Sequence, residues 1–172
     1  SSYTTYVDEG ESRTERATNV EVATAYINGT VLLPGESVST SELMRERTEE
    51  NGYRQGTQYN NGEVEDAIGG GICQVSTTLY NALLKAEIQV DERYPHSMVV
   101  DYVDPGMDAA ISEGYKDLCF TNDKEFPIYV WGGTDGERVT FLIFGQETRP
   151  DNREVTYETV ELYRNPPETV TV

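Results

Sequence analysis

The sequence is short of positive charge, of histidine, of cysteine and of long apolar runs, and each shortage excludes a class of protein. Thirteen Lys and Arg residues stand against 31 Asp and Glu residues, which gives a net charge of −18. That charge repels phosphate backbones and anionic lipid, so we expect no nucleic-acid partner. No run approaches the ~20 apolar residues of a membrane-spanning helix. Residues 1–10 also lack the basic and apolar segments of a signal peptide.

The two cysteines and the single histidine limit the possible cofactor sites. Cys73 and Cys119 allow one disulfide without requiring it, and a disulfide-rich scaffold is excluded. His96 with two cysteines at these spacings fits no usual zinc site. The run Gly69-Gly70-Gly71 lacks the Gly-Lys-Ser/Thr of a phosphate loop. We therefore expect no metal and no cofactor.

The 172 residues fit one soluble domain, in which 12 tyrosines help to fill the core. Three helices are predicted. The first follows the capping box Ser12-Arg13-Thr14-Glu15 and ends at Asn28-Gly29. The second follows Ser39-Thr40-Ser41-Glu42 and runs to near Asn51-Gly52. The third follows the three glycines. Its apolar stripe consists of Ile72, Val75, Leu79, Ala82, Leu83 and Ala86.

The residue preferences change after the third helix. Segments rich in β-branched and aromatic residues predict strands at 98–103, 115–120, 126–131 and 138–144, with a hairpin at 132–136. Residues 53–68 are predicted to be a loop or an edge hairpin around Asn61-Gly62. Helices followed by an antiparallel meander indicate an α+β fold, with the cysteine-bearing helix packed on the sheet. Residues 1–148 form the predicted domain, and 149–172 an extended strand or linker toward a further module.

Cys73 lies at the start of the third helix and away from its apolar stripe. Backbone N–H groups and the helix dipole stabilise a thiolate at such a position and lower the thiol pKa from its usual ~8.5. The preceding glycines would allow a substrate to approach or an oxyanion hole to form. The residues predicted to bind substrate around Cys73 are Gly70, Gly71, Gln74, Ser76, Thr77, Tyr80, Arg93 and Ser97.

His96 follows Cys73 by 23 residues and is the candidate base. A thiol, an imidazole and an orienting carboxylate form a nucleophilic site in which the base takes the thiol proton and the carboxylate fixes the tautomer. Asp101, Asp104 and Asp108 are all possible carboxylates, and spacing alone does not choose among them, although Asp108 is preferred. The predicted catalytic set is therefore Cys73, His96 and Asp108.

The run from Gly69 through Gly-Gly-Ile-Cys-Gln-Val-Ser-Thr-Thr to Ala82 resembles the VanW family. The resemblance continues through Arg93-Tyr94-Pro95-His96-Ser97, Tyr102-Val103 and Gly106-Met107-Asp108 and covers about residues 16–145. Two positions depart from the family pattern. Val38-Ser39-Thr40-Ser41 replaces an aromatic segment, and Cys119 replaces a lysine.

The resemblance implies a bacterial cell-envelope protein associated with glycopeptide resistance, extracytoplasmic and membrane-anchored or secreted as a full-length chain. One hypothesis is a thiol acyl-transferase or hydrolase acting on peptidoglycan peptides, similar to transglutaminase and papain-like enzymes in the order Cys, His, Asp. The alternative is a non-catalytic envelope module that binds peptidoglycan or a protein partner.

Overall fold

The computed structural model describes residues 1–6, 13–60, 63–150 and 153–163, and within them the fold is α+β, as predicted. In chain order the elements are β1 (Ser2–Tyr6), α1 (Arg13–Ile27), β2 (Thr30–Leu32), β3 (Ser37–Ser39), α2 (Thr40–Met44), β4 (Gln55–Asn60), β5 (Glu63–Ile68), α3 (Ile72–Lys85), β6 (Gln89–Glu92), β7 (Cys119–Thr121), β8 (Ile128–Thr134) and β9 (Arg138–Phe144).

Within the described ranges, the strands form three antiparallel sheets. The largest has the order β1-β9-β8-β2, a second has the order β3-β7-β6, and β4 pairs with β5 as a hairpin. In β8 the side chains alternate, so Ile128 and Val130 are buried while Tyr129 and Trp131 face solvent. This alternation gives the large sheet one apolar inner face.

Helices α1 and α3 pack on that inner face and enclose the core. Val20, Ala23 and Ile27 of α1 are buried, as are Val75 and Leu79 of α3. The predicted apolar stripe of α3 is thus confirmed, with Ala86 partly buried at its end. The sheet and α1 leave the opposite, polar face of α3 to be covered by another part of the chain.

The helix predictions were correct for α1 and α3 and wrong for the length of α2. Helix α1 ends at Ile27, followed by Gly29 at φ +90°, as Asn28-Gly29 predicted; Ser12 lies outside the described residues. Ser39 does cap α2, because its Oγ accepts the Glu42 amide. However, α2 ends at Met44, whose carbonyl accepts the buried Tyr53 hydroxyl at 2.7 Å.

The strand predictions were correct where a partner strand lies alongside. Strand β9 has the predicted bounds, and β8 runs through Gly132 and Gly133, so that the turn falls at Asp135-Gly136. The hairpin at 53–68 is confirmed by β4 and β5, although its turn at Asn61-Gly62 lies outside the described residues. The short strands β1, β2, β3 and β6 were not predicted.

Two predicted strands were wrong in whole or in part. Residues 98–103 form bends and not a strand, and Met98 and Val99 are exposed without a neighbouring strand to pair with. Within 115–120 the chain forms only the bridge between Ser112 and Lys116 and the first two residues of β7. An irregular segment therefore separates β6 from β7, and we call residues 93–118 the cover segment.

Residues 153–163 form neither helix nor strand. The Tyr157 hydroxyl lies 3.5 Å from the Asn81 carbonyl, and the Thr159 hydroxyl donates to the Pro105 carbonyl at 3.2 Å. The division into a domain at 1–148 and a linker at 149–172 stays a prediction. Among the described residues, every helix is too short or too polar to span a bilayer.

Candidate active site

The cover segment is held on the polar face of α3 by hydrogen bonds from three successive helical turns. Asn81 Nδ2 donates to the Met107 carbonyl at 2.8 Å, and Thr77 Oγ1 accepts the Ala109 amide at 2.9 Å. Cys73 Sγ lies 3.5 Å from the Ile111 nitrogen and 3.4 Å from its oxygen. Positions 73, 77 and 81 thus engage alternate residues of an extended stretch.

This spacing explains why Asp108 faces the other way. Alternate residues of an extended chain point to opposite sides. Ala109 is bound to α3, and the carboxylate of Asp108 beside it turns toward the first part of the cover segment. There Asp108 Oδ2 accepts the His96 amide and lies 2.6 Å from His96 Nδ1. The same segment therefore binds the helix and orients the imidazole.

Arg93 holds the other oxygen of the same carboxylate. Its Nη2 lies 2.8 Å from Asp108 Oδ1, and its Nε donates to the Asp108 carbonyl at 2.6 Å. Nη2 also donates to the Gly106 carbonyl, and the guanidinium lies 5.5 Å from the ring centre of Tyr80. Asp108 is buried, so its negative charge depends on these partners.

The structure therefore places His96 in direct contact with Asp108 and close enough to Cys73 to interact with its charge, and it selects Asp108 among the three aspartates. Asp101 and Asp104 are exposed, whereas Asp108 contacts the imidazole directly. Because His96 Nδ1 is bonded to Asp108, Nε2 is the ring nitrogen left for Cys73. The thiol and the imidazole are close enough to shift each other's pKa.

The shifts favour a thiolate and imidazolium pair. Burial acts to raise the pKa of Cys73, but hydrogen bonding and charge attraction to His96 outweigh it, and the pKa is lowered. Burial acts to lower the pKa of His96, but interactions with Cys73 and Asp108 outweigh it, and the pKa is raised. For Asp108, burial opposes ionisation, yet the bonds from His96 and the Arg93 charge hold the pKa below its ordinary value. Such an ion pair is the reactive form of a thiol nucleophile.

The glycines before Cys73 accommodate two arginine stems. Gly69 and Gly71 have φ of +86° and +102°, which disfavours other residues. A Cβ at Gly69 would lie 2.7 Å from Arg47 Cδ, and one at Gly71 would lie 2.8 Å from Arg16 Cγ. The glycine run thus allows two cationic side chains to lie against the start of α3.

Most of the residues predicted to bind substrate have partners within the protein. Gln74, Ser76 and Thr77 are buried, and Gln74 bonds Arg16, Thr5 and Tyr6. Ser76 Oγ donates to the Ala109 carbonyl at 2.6 Å, and the Gly70 carbonyl accepts Asn19 Nδ2. Arg93 bonds Asp108 and lies over the ring of Tyr80, Gly71 lies under Arg16, and Ser97 is exposed. Direct contact of any of them with substrate stays a prediction.

Sequence reasoning missed three residues around the thiol. The Tyr102 side chain is partly buried, and burial, followed by the neighbouring Cys73, raises the pKa of its phenol. Ile111 contacts the sulfur through its backbone, and the charge of Arg47 lowers the pKa of Cys73. The predicted strand at 98–103 and the predicted long second helix placed Tyr102 and Arg47 in regular elements, which concealed their proximity to Cys73.

Both cysteines are free thiols, which answers the question left open by the sequence. Burial and the nearby carboxylates of Asp117 and Glu92 raise the pKa of Cys119 to about 12. The two thiols therefore have opposite electrostatic surroundings, since Cys73 faces an imidazole and an arginine.

A cavity of about 220 Å³ lies beside the thiol. It is lined by Met44, Arg47, Ile72 and Ile111; Ile72 directly precedes Cys73 in the chain, and the Ile111 backbone contacts the Cys73 sulfur. A larger cavity of about 320 Å³ is lined by Lys124, Arg149 and Arg153, and none of the three predicted catalytic residues lines either cavity.

Comparison with known proteins agrees with the sequence motifs that carry the site. The family described as VanW like protein matches residues 15–144, a range that includes Cys73, His96 and Asp108. The chain belongs to the VanW family. It is 38% identical over 145 residues to the "Uncharacterized protein YoaR" of Bacillus subtilis (strain 168), covering 84% of this chain and 47% of that protein.

A second relative carries a resistance name. The chain is 30% identical over 135 residues to the "Vancomycin B-type resistance protein VanW" of Enterococcus faecalis (strain ATCC 700802 / V583), covering 75% of this chain and 49% of that protein. This VanW family chain thus spans about half the length of the curated relatives it matches. No solved structure matches it, and the predicted likeness to transglutaminase and papain-like folds is not supported.

Proposed function

We propose that this VanW family chain is a thiol acyl-transferase or hydrolase that acts on peptidoglycan peptides outside the cytoplasm. The observation that carries the chemistry is the grouping of Cys73, His96 and Asp108, with 2.6 Å between His96 Nδ1 and Asp108 Oδ2 and His96 beside the Cys73 thiol. The substrate and the location are supported by the name of the Enterococcus relative, a vancomycin resistance protein.

The chemistry follows from the ion pair. The thiolate of Cys73, whose proton rests on His96, attacks a peptide carbonyl carbon and forms a tetrahedral oxyanion. The carbon–nitrogen bond then breaks, and the His96 proton passes to the leaving amine, which leaves a thioester on Cys73. Water or a second amine gives its proton to His96 and attacks the thioester; the carbon–sulfur bond breaks, which releases an acid or a new amide and restores the pair of Cys73 thiolate and His96 imidazolium.

The helix start supplies a place for the oxyanion. Gln74 and Ile72 donate their amides to Gly71 and Gly69, respectively. Among the described residues, the Cys73 amide has no backbone acceptor. An N–H on the nucleophile's own residue that is not used by the helix, at the positive end of that helix, is a suitable donor for the negative charge that develops during attack.

Turnover of isolated muropeptides tests this proposal. The protein is incubated with tetrapeptide and pentapeptide muropeptides, with and without hydroxylamine, and products are identified by mass spectrometry. We expect cleavage or hydroxamate formation that falls by a factor of roughly 10³ or more in Cys73→Ala, since the nucleophile is removed. Full turnover by Cys73→Ala, or none by the wild type, would contradict the proposal.

The second candidate is a binding module, and one observation favours it. Val31, Tyr129, Trp131 and Phe144 are exposed apolar side chains on neighbouring strands of the large sheet. Grouped exposed apolar residues commonly mark a surface that binds a partner. On this account Cys73→Ala would retain binding to isolated peptidoglycan sacculi, and Trp131→Ala would lose it.

A further inference from the structure

The cavity beside Cys73 contains a partly buried positive charge. Arg47 is half-buried at its wall, and its stem packs against the space left by Gly69, four residues before the nucleophile. Ile72 and Ile111 complete the wall and both adjoin the cysteine, Ile111 through its backbone at 3.4 Å from Sγ. A group bound in this cavity would therefore contact the two residues that adjoin the reacting cysteine.

Arg47 has no acidic partner among the residues that the structure describes. Glu42, Glu46 and Glu113 also line the cavity, but all three are exposed, and water screens their charge. Arg45 lies over the ring of Tyr26 at 4.4 Å, where its charge is already engaged. Of the charged side chains around the cavity, Arg47 is thus the half-buried one.

The placement is unusual for this chain. The net charge of −18 repels anionic molecules from the protein as a whole. A partly buried guanidinium gains most from a carboxylate that can accept two of its N–H groups. Its charge also contributes to lowering the pKa of Cys73.

We propose that this cavity binds a carboxylate that the substrate carries next to the bond under attack, and that Arg47 is the specificity-determining residue. The proposal rests on the thiol chemistry above and names the class of substrate. The carboxylate can belong to a side chain of the acyl group or to the leaving amino acid, since both would place it beside the scissile carbonyl.

Alkylation by a matched pair of small reagents tests the proposal. Iodoacetate and iodoacetamide both transfer a two-carbon group to the thiolate and release iodide, but only iodoacetate carries a carboxylate. The two alkylation rates at Cys73 are measured by intact mass in a Cys119→Ser background. The pH is chosen high enough that a further increase raises neither rate. Glutathione, treated in the same way, provides the ratio of the two rates for a free thiol.

We expect the iodoacetate-to-iodoacetamide ratio at Cys73 to exceed that of glutathione and to fall about tenfold in Arg47→Gln, since a charge-assisted hydrogen bond is lost. Arg47→Lys should retain part of the preference, and rising salt should reduce it in the wild type. Arg138→Gln removes the same charge at the distant β8–β9 turn and should leave the ratio unchanged.

The two parts of the account fail in different ways. If iodoacetamide reacts with native Cys73 no faster than with the unfolded chain, the thiol function itself is overturned. If iodoacetamide reacts rapidly but the ratio matches glutathione and ignores Arg47, the carboxylate site is wrong and the thiol function stands. Faster reaction with cationic 2-bromoethylamine than with iodoacetate, each relative to glutathione, would show that the glutamates select a cation.

Discussion

At the scale of single residues, Asp108 links the chemistry to the stability of the cover segment. One of its oxygens accepts the amide of His96 and contacts the ring, and the other accepts Arg93. The same carboxylate therefore fixes the orientation of the base and the path of the backbone around it. Removing its charge should change both reactivity and folding.

We expect Asp108→Asn to lower the free energy of unfolding by about 1–3 kcal/mol at pH 7, because Arg93 and His96 lose a charged acceptor. The folded pKa of Asp108 is lowered, so its contribution is present above the ordinary Asp pKa of ~3.9 and is lost as the pH falls through the folded value. The difference between wild type and variant should therefore shrink below about pH 4. Urea unfolding at a series of pH values measures it.

Asp101→Asn is the matched control, since Asp101 is exposed in the same segment. It should change stability little at any pH. An Asp108→Asn protein as stable as Asp101→Asn at pH 7 would show that the carboxylate does not anchor the segment.

At the scale of elements, α3 has two functional faces. One face packs its apolar stripe on the sheet, and the other presents Cys73, Thr77 and Asn81 to alternate residues of the cover segment. Four residues of a helix and two residues of an extended chain span similar lengths, about 6 Å. Residues 73, 77 and 81 of α3 can therefore each contact the backbone of one residue among 111, 109 and 107. Cys73 is thus the first member of a polar row that also positions Asp108.

We expect Thr77→Val to destabilise the protein by about 1–3 kcal/mol, because the buried Ala109 amide loses its acceptor. Thr77→Ser keeps the hydroxyl and should cost less. Thermal unfolding followed by circular dichroism measures both variants. Since Ala109 adjoins Asp108, Thr77→Val should also slow iodoacetamide alkylation of Cys73. Equal stability and equal alkylation rates in Thr77→Val and Thr77→Ser would show that the polar row of α3 does not position the site.

The sequence predicted this element well and its partner poorly, for a physical reason. The stripe from Ile72 to Leu83 has helical spacing, so α3 and the off-stripe position of Cys73 followed from local pattern. The cover segment is held by side chains of α3 rather than by a neighbouring strand. The β-branched residues at 98–103 of the cover segment therefore predicted a strand that does not form. For the same reason the sequence did not predict that Tyr102 lies near the Cys73 thiol.

Long-range contacts also limited the prediction of α2. Its cap at Ser39 is local and was predicted, but its end depends on Tyr53, which reaches back to the Met44 carbonyl. Because α2 ends at Met44, Arg47 lies outside the helix, and its aliphatic stem packs against Gly69. The cavity beside Cys73 could not be predicted, because it requires α2, α3 and the cover segment together.

At the scale of the whole molecule, the three sheets and three helices of the described residues place one nucleophile under an irregular segment in an acidic chain. The net charge of −18 contrasts with the cationic side chains of Arg47 and Arg93 near the thiol. A neutral reagent is therefore required to measure thiol reactivity without the effect of the overall field. The pKa of Cys119 is raised to about 12, whereas the pKa of Cys73 is lowered, so the second thiol of the chain provides a comparison for the first.

The measurement that tests the central claim most directly is the rate of Cys73 alkylation by iodoacetamide as a function of pH. It is made by intact mass in a Cys119→Ser background, with and without His96→Ala. The account predicts an apparent pKa below the ordinary thiol value of ~8.5 that rises when His96 is removed. An ordinary pKa that does not depend on His96, or a thiol that reacts only in the unfolded chain, would contradict it.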